Sequence, residues 1–217
     1  MLDLLQNGID IFRSGGPVMY PLAALSVVAL AIILERLWVL RSANYLQPGT
    51  VHALAGLLGG RDFKAAIDYC RRHPGPFTEL VATLVENRLA PYDELKEILA
   101  DTGRRQLLGL QRGLPALATI VGGAPLLGLL GTVLGMIAIF KAVATGGTGI
   151  TEQLATGISQ ALITTATGLI IAIPALFTHS YLEARAVGIL ADIEAQMADF
   201  LHLVRRPEID DDEDGED

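Results

Sequence analysis

One cysteine, Cys70, stands in the 217 residues, so no intrachain disulfide forms and no cysteine cluster is available to hold a metal. Its expected role is that of a small buried apolar residue. The four histidines, His52, His73, His179 and His202, are scattered. No Ser-His-Asp, Cys-His or paired-carboxylate arrangement emerges, and GxxxxGK[ST] is absent, so neither an enzyme nor a phosphate loop is expected, and no cofactor is implied. Basic residues are also too few for a nucleic-acid-binding face. Charged residues make up only 18% of the chain, and their net of -8 is misleading. Glu208, Asp210, Asp211, Asp212, Glu213, Asp214, Glu216 and Asp217 supply all of it, leaving residues 1–207 close to neutral.

What the chain has in abundance is apolar length: 51% hydrophobic residues and a mean hydropathy of +0.45. These predict an all-α integral membrane protein. The central stretch runs uncharged from Leu114 to Phe140. At ~1.5 Å per residue it exceeds the ~30 Å hydrocarbon core. Gly122, Gly123, Ala124, Gly128, Gly131 and Gly135 leave one side nearly bare, and Thr132 puts a hydroxyl within the span. A bare face serves close approach of another helix, not lipid. Gly128, Gly131 and Gly135, with Pro125 here and Pro174 in the third run, are taken as helix-packing positions.

In chain order, residues 1–16 place Leu2, Leu5, Ile9 and Phe12 on one face, as in an interfacial amphipathic helix closed by Gly15-Gly16-Pro17. The segment lacks the basic n-region of a signal peptide. Residues 17–40 form the first expected span, with Tyr20 and Trp38 at interfacial depths. Within it Glu35 and Arg36 are either a snorkelling arginine with a nearby carboxylate or an interhelical polar clamp.

Residues 41–113 read as a helical insertion. RDFKAAIDYCRRH is one helix, broken by Pro74-Gly75-Pro76. FTELVATLVENRLA is a second, and Pro91 starts a third, with Asp93, Glu94 and Glu97 near its N-terminus. No strong breaker follows Pro91, and Gly103, Gly109 and Gly113 are single glycines that a helix tolerates. The second span, 114–140, is therefore expected to continue that helix, kinked at Pro115 if anywhere. A loop at 141–152 leads to the third span, 153–178. Helical spacing of Leu182, Leu190, Ile193, Met197, Phe200, Leu201 and Val204 carries on through 179–206. Residues 207–217 form an acidic tail, disordered by composition. The second and third helices are thus expected to extend far into the cytoplasm. The insertion holds ten Lys/Arg, whereas the N-terminal segment has Arg13 alone and the 141–152 loop Lys141 alone. The positive-inside rule places the insertion and C-terminus in the cytoplasm and the N-terminus outside.

Inside the third span Thr156, Gln160, Thr164 and Thr167 recur at steps of four, four and three, one helical stripe, with Thr165 off it. Such side chains act as glue between helices, each hydroxyl back-bonded to its own helix, or they line a polar path. Counting depth from the run centres lets Thr132 and Gln160 share a level. No carboxylate lies at mid-membrane, so such a path needs a partner to supply a titratable group.

APLLGLLGTVLGMI (124–137) followed by GISQALITTATGLIIAIPAL (157–176) resembles the paired signature of the MotA/TolQ/ExbB proton-channel family, and GGPVMYPL with ILERLW resembles its first span. The ExbB/TolQ branch is the nearest likeness, over nearly the whole chain. The resemblance implies a subunit of a bacterial inner-membrane motor, a homopentamer around an ExbD/TolR-like dimer whose aspartate carries the proton. Force would pass to a TonB/TolA-like protein. The family's two threonines fall on Thr132 and Thr165, giving an ion path of Thr132, Thr165, Gln160, Thr156, Thr164 and Thr167. Many relatives carry glutamate where this chain has Gln160, which keeps the hydrogen bonding but cannot exchange a proton near neutral pH. A flagellar-type stator subunit is disfavoured, because that branch has four spans. A non-conducting membrane scaffold is the alternative from another class.

Overall fold

The computed structural model describes residues 12, 14–41, 45–144 and 150–205. Among them there are helices and turns and no strands. The helices are α1 (Met19–Val39), α2 (Pro48–Gly59), α3 (Phe63–Arg72), α4 (Pro76–Glu86), α5 (Tyr92–Leu110), α6 (Leu114–Ala144) and α7 (Ile150–Arg205). Most of the N-terminal amphipathic segment, much of the loop between α6 and α7, and the acidic tail lie outside the described residues.

Three helices, α1, α6 and α7, are long and apolar enough to cross a membrane, with window hydropathies of 2.1, 2.2 and 1.9. Only 17–28% of each window is buried within the chain. Val27, Leu30, Leu126, Ile137, Ile170 and Phe177 are among the large apolar side chains left exposed. Lipid or further protein has to cover that surface, as expected for a membrane-embedded chain.

The chain divides into two compact units that share α7. The first comprises the chain through Trp38 and Gly113–Glu183. Its core joins Val18, Met19 and Leu22 of the first helical region to Ala124 of α6 and Ala172 of α7, flanked by Leu25, Leu127, Ile163 and Ile171. Gly16 opens α1 from a left-handed backbone (φ 70), and its carbonyl accepts from the Met19 N–H at 3.1 Å.

The second comprises Val39–Arg112 and the chain from Ala184 onward. Its helices follow their local signals. Pro48 and Pro76 occupy first-turn positions where no backbone donor is needed, and the Asp62 carboxylate accepts from the Ala65 N–H at 3.0 Å to cap α3. Leu54, Leu58, Ala66, Phe77, Leu80, Val81, Leu84 and Leu95 are buried together with Leu190, Ile193, Met197 and Phe200 of α7. Phe77 and Phe200 meet edge to face at 5.5 Å between centroids. Helix α2 is an element beyond the three expected in the insertion, and Pro48 with the spacing of Val51, Leu54 and Leu58 accounts for it.

The continuous helix expected from Pro91 into the second span is interrupted. Gln111–Gly113 form a turn, with Gly113 at φ 83, a conformation that costs a side-chain-bearing residue about 1–2 kcal/mol. Gly113 is therefore a helix stop rather than a tolerated glycine. Pro115 does not kink a helix either, because it lies in the first turn of α6, where its missing N–H costs nothing. Pro125 and Pro174 do sit inside α6 and α7, each removing one donor from its ladder.

Candidate functional site

The site is the seam between α6 and α7 within the first unit. On α6, Ala124, Gly128, Gly131 and Gly135, at steps of four, three and four, are all buried. Opposite them on α7 stand Gly168, the Thr164-Thr165 pair, Ala161 and Gly157. A methyl added at Gly128 would lie 2.9 Å from the Thr164 carbonyl oxygen, and one at Gly168 would lie 2.6 Å from that of Ala124. At Gly131 it would overlap the Thr164 side chain, and at Gly135 it would approach the Gly157 carbonyl at 3.1 Å. The backbones are thus in near contact over about three helical turns, the approach that small residues permit. Gly122 and Gly123 have open space around them, so the bare side expected from sequence narrows to four positions.

Thr164 and Thr165 are the hydroxyls that cross the seam. Thr165 donates to the Gly128 carbonyl at 3.2 Å. Thr164, fully buried, donates to Ala161 of its own helix at 2.9 Å and lies 3.4 Å from the same Gly128 carbonyl. The hydroxyls of Thr156, Thr167 and, on α6, Thr132 turn back on their own helices. Thr156 donates to the Glu152 carbonyl at 2.9 Å, Thr167 to that of Ile163 at 2.8 Å, and Thr132 to that of Leu129 at 2.6 Å. Thr132 and Thr167 are half-buried and Thr156 is exposed.

Gln160 does not meet Thr132. Its side-chain amide lies against Gly16, at the turn that opens α1, leaving no room there for a Cβ. With Gly131 opposite Thr164 and Gly135 opposite Ala161 and Gly157, Thr132 falls within about two residues, ~3 Å, of the level of Gln160. The similar depth expected from counting agrees with this register, and it is the direction of the Gln160 side chain, toward Gly16, that differs from the expected facing pair. The Gly16–Gln160 contact is not among the expected pairings, and the Gly-Gly-Pro at residues 15–17 is the signal that a close approach is possible there.

Pro125 follows the buried Ala124 and is half-buried, whereas Pro174 is exposed. At the other end of the first unit Arg36 is buried, and its Nη2 donates to Glu35 at 2.7 Å while Glu35 stays largely exposed. The Arg36 Nε is buried without a partner among the described residues, beside the Gly113 turn.

Hydroxyls and amides donate and accept hydrogen bonds but do not hold or release a proton near neutral pH. The seam can orient polar groups across two helices, and it carries no ionisable group of its own between Leu114 and Phe140 or between Gln153 and Thr178. Among the described residues no group of three His, Cys, Asp or Glu side chains is placed to bind a metal.

Three long apolar helices, two of them sealed by glycine against threonine, define a polytopic helical membrane protein. Residues 75–195 match the model of the MotA/TolQ/ExbB proton channel family. The chain is 32% identical over 204 residues to a Synechocystis sp. biopolymer transport protein designated ExbB-like 1, covering 90% of this chain and 75% of that protein. It is 28% identical to an ExbB homolog of Methanothermobacter thermautotrophicus, across 82% of this chain and 63% of the relative. With the Tol-Pal system protein TolQ of Haemophilus influenzae it shares 34% identity over 47% of this chain and 45% of TolQ. The chain belongs to the MotA/TolQ/ExbB family, in its ExbB/TolQ branch, and is a membrane energy-transduction subunit of that kind.

Proposed function

We propose that this chain is the ring subunit of a proton-motive-force-driven motor in a bacterial inner membrane. In this reading several copies, five by the family's pattern, surround the spanning helices of an ExbD/TolR-like partner. The motor conducts protons together with that partner and passes force to a TonB/TolA-like protein. The 41–113 insertion and the C-terminus face the cytoplasm, a placement supported by the ten basic residues of the insertion.

The observation that carries the reading is the chemistry of the seam in a family of this kind. Thr164 and Thr165 converge on one backbone carbonyl in a span without a carboxylate, so this chain offers polar groups but no proton carrier. The carrier then belongs to the partner, and Gln160 serves hydration and packing. The path residues are Thr132, Gln160, Thr164 and Thr165, with Thr156 and Thr167 toward either end of the stripe.

The same back-bonded threonines also suit a scaffold that conducts nothing, since Thr132, Thr156 and Thr167 each have a carbonyl on their own helix. Co-expression with the partner separates the two readings. On the motor reading, Thr132→Val leaves the complex intact by native mass spectrometry and abolishes energy-dependent transduction in cells. Full transduction in that variant removes Thr132 from the path, and the same result for Thr165→Val as well leaves the scaffold.

A further inference from the structure

In the second unit, where α7 ends, a cavity of about 460 Å³ is lined by Arg61, Phe63, Arg88, Leu89, Ala90, Val204 and Arg205. Three guanidiniums face one space, and among the described lining residues there is no carboxylate. Two of the three are fixed by aromatic faces. The Arg88 guanidinium lies 4.7 Å from the centroid of the Phe63 ring and that of Arg205 lies 5.4 Å from that of Tyr92. Arg205 also donates to the Ala90 carbonyl, and its Nε is buried with no partner among the described residues. Arg61 is presented from the tight turn between α2 and α3, in a left-handed backbone (φ 58) rare for a residue with a long side chain. Stacked, pre-oriented guanidiniums lose little entropy on binding and match carboxylates bidentately. The cavity is built for an anion.

We propose that its occupant is the chain's own C-terminal segment, Pro207–Asp217. Arg205 forms part of the cavity wall, and the first acidic residue follows three positions later. At ~3.3–3.6 Å per extended residue, Glu208 to Asp212 reach back across ~10–25 Å. Tethering so close gives an effective concentration in the millimolar range. Eight acidic residues among the last ten supply the complementary charge in a chain otherwise close to neutral. The tail is thus a resident competitor, and an anionic partner reaches the arginines only by displacing it.

The test uses the purified chain in detergent, intact and truncated after Arg206, with a fluorescein-labelled peptide of residues 207–217 as probe. Anisotropy at about 0.05 M salt is expected to show the truncated chain binding at least ~10-fold more tightly than the intact one, with most of the affinity lost near 0.5 M salt. Arg88→Gln and Arg61→Glu in the truncated chain are each expected to weaken binding about 2- to 5-fold, with far-UV circular dichroism unchanged. Equal binding to intact and truncated chains, or binding to neither, overturns the proposal. Pyrophosphate binding equally to the intact and truncated chains also overturns it, because the cavity would then take free anions without being masked.

Discussion

The Thr165 hydroxyl of α7 donates to the Gly128 carbonyl of α6 at 3.2 Å, directly beside Thr164, which is fully buried against Gly131. One carbonyl is therefore the meeting point of two hydroxyls from the facing helix. The glycine supplying it is also what lets the helices come close enough for the bond to form.

Adding a methyl within this seam should be costly, and adding one more than two turns away along α6 should not. Gly131→Ala overlaps the Thr164 side chain and is expected to cost about 1–3 kcal/mol of stability. Gly122→Ala and Gly123→Ala meet nothing within 4 Å and should be neutral or slightly stabilising. Thermal melts in one detergent check this. Equal losses at all three positions would show that the seam is not the close contact described.

Thr165→Val removes a cross-helix hydrogen bond, and about 0.6–2 kcal/mol is expected to go with it. Thr132→Val removes only a bond to Leu129 on the same helix and should leave melting nearly unchanged. Both should impair transduction. A functional Thr132→Val with a normal melt would confine the role of the hydroxyls to Thr165 and its neighbour.

Gly16→Ala meets two penalties, a left-handed backbone at φ 70 and overlap with the Gln160 amide. The backbone part costs about 1–2 kcal/mol. Shortening Gln160 to alanine in the same chain should recover the steric part and leave the backbone part, a non-additivity that a double-mutant cycle reads directly. Strict additivity would separate the two residues.

Burial pushes the Cys70 thiol up to about 11, reinforced by the Glu86 charge and opposed by a backbone hydrogen bond. Alkylation by iodoacetamide at pH 8 should therefore be far slower in the folded chain than after unfolding. The raised value also has a sign for stability. From the thiol's usual 9.0 up to about 11 the unfolded chain releases the proton first, so stability falls as pH rises through that window. Cys70→Ala should flatten that part of the pH profile.

Much of this architecture was legible because membrane helices and their signals are local. Uncharged runs, Pro48, Pro76 and Pro91, and the spacing from Leu182 to Phe200 each act within a few residues of where they appear. Which glycines pack is not local. Gly122 and Gly128 look alike in the sequence, and only the facing helix makes one buried and the other open. Gly113 is a related case. A glycine tolerated within a helix and one that stops it differ by the sign of φ, which no neighbouring residue announces. The placement of Gln160 against Gly16 joins residues 144 positions apart, and helical periodicity carries no information about that distance.

The central claim is that this chain lines a proton path whose carrier belongs to its partner. Proteoliposomes holding this chain and its ExbD/TolR-like partner, under imposed pH and sodium gradients, test it most directly. The account predicts proton flux with wild-type Gln160, loss of flux when the partner's membrane carboxylate becomes an amide, and loss in Thr132→Val. Absence of flux in the wild type, restored by Gln160→Glu, would contradict it and move the carrier onto this chain.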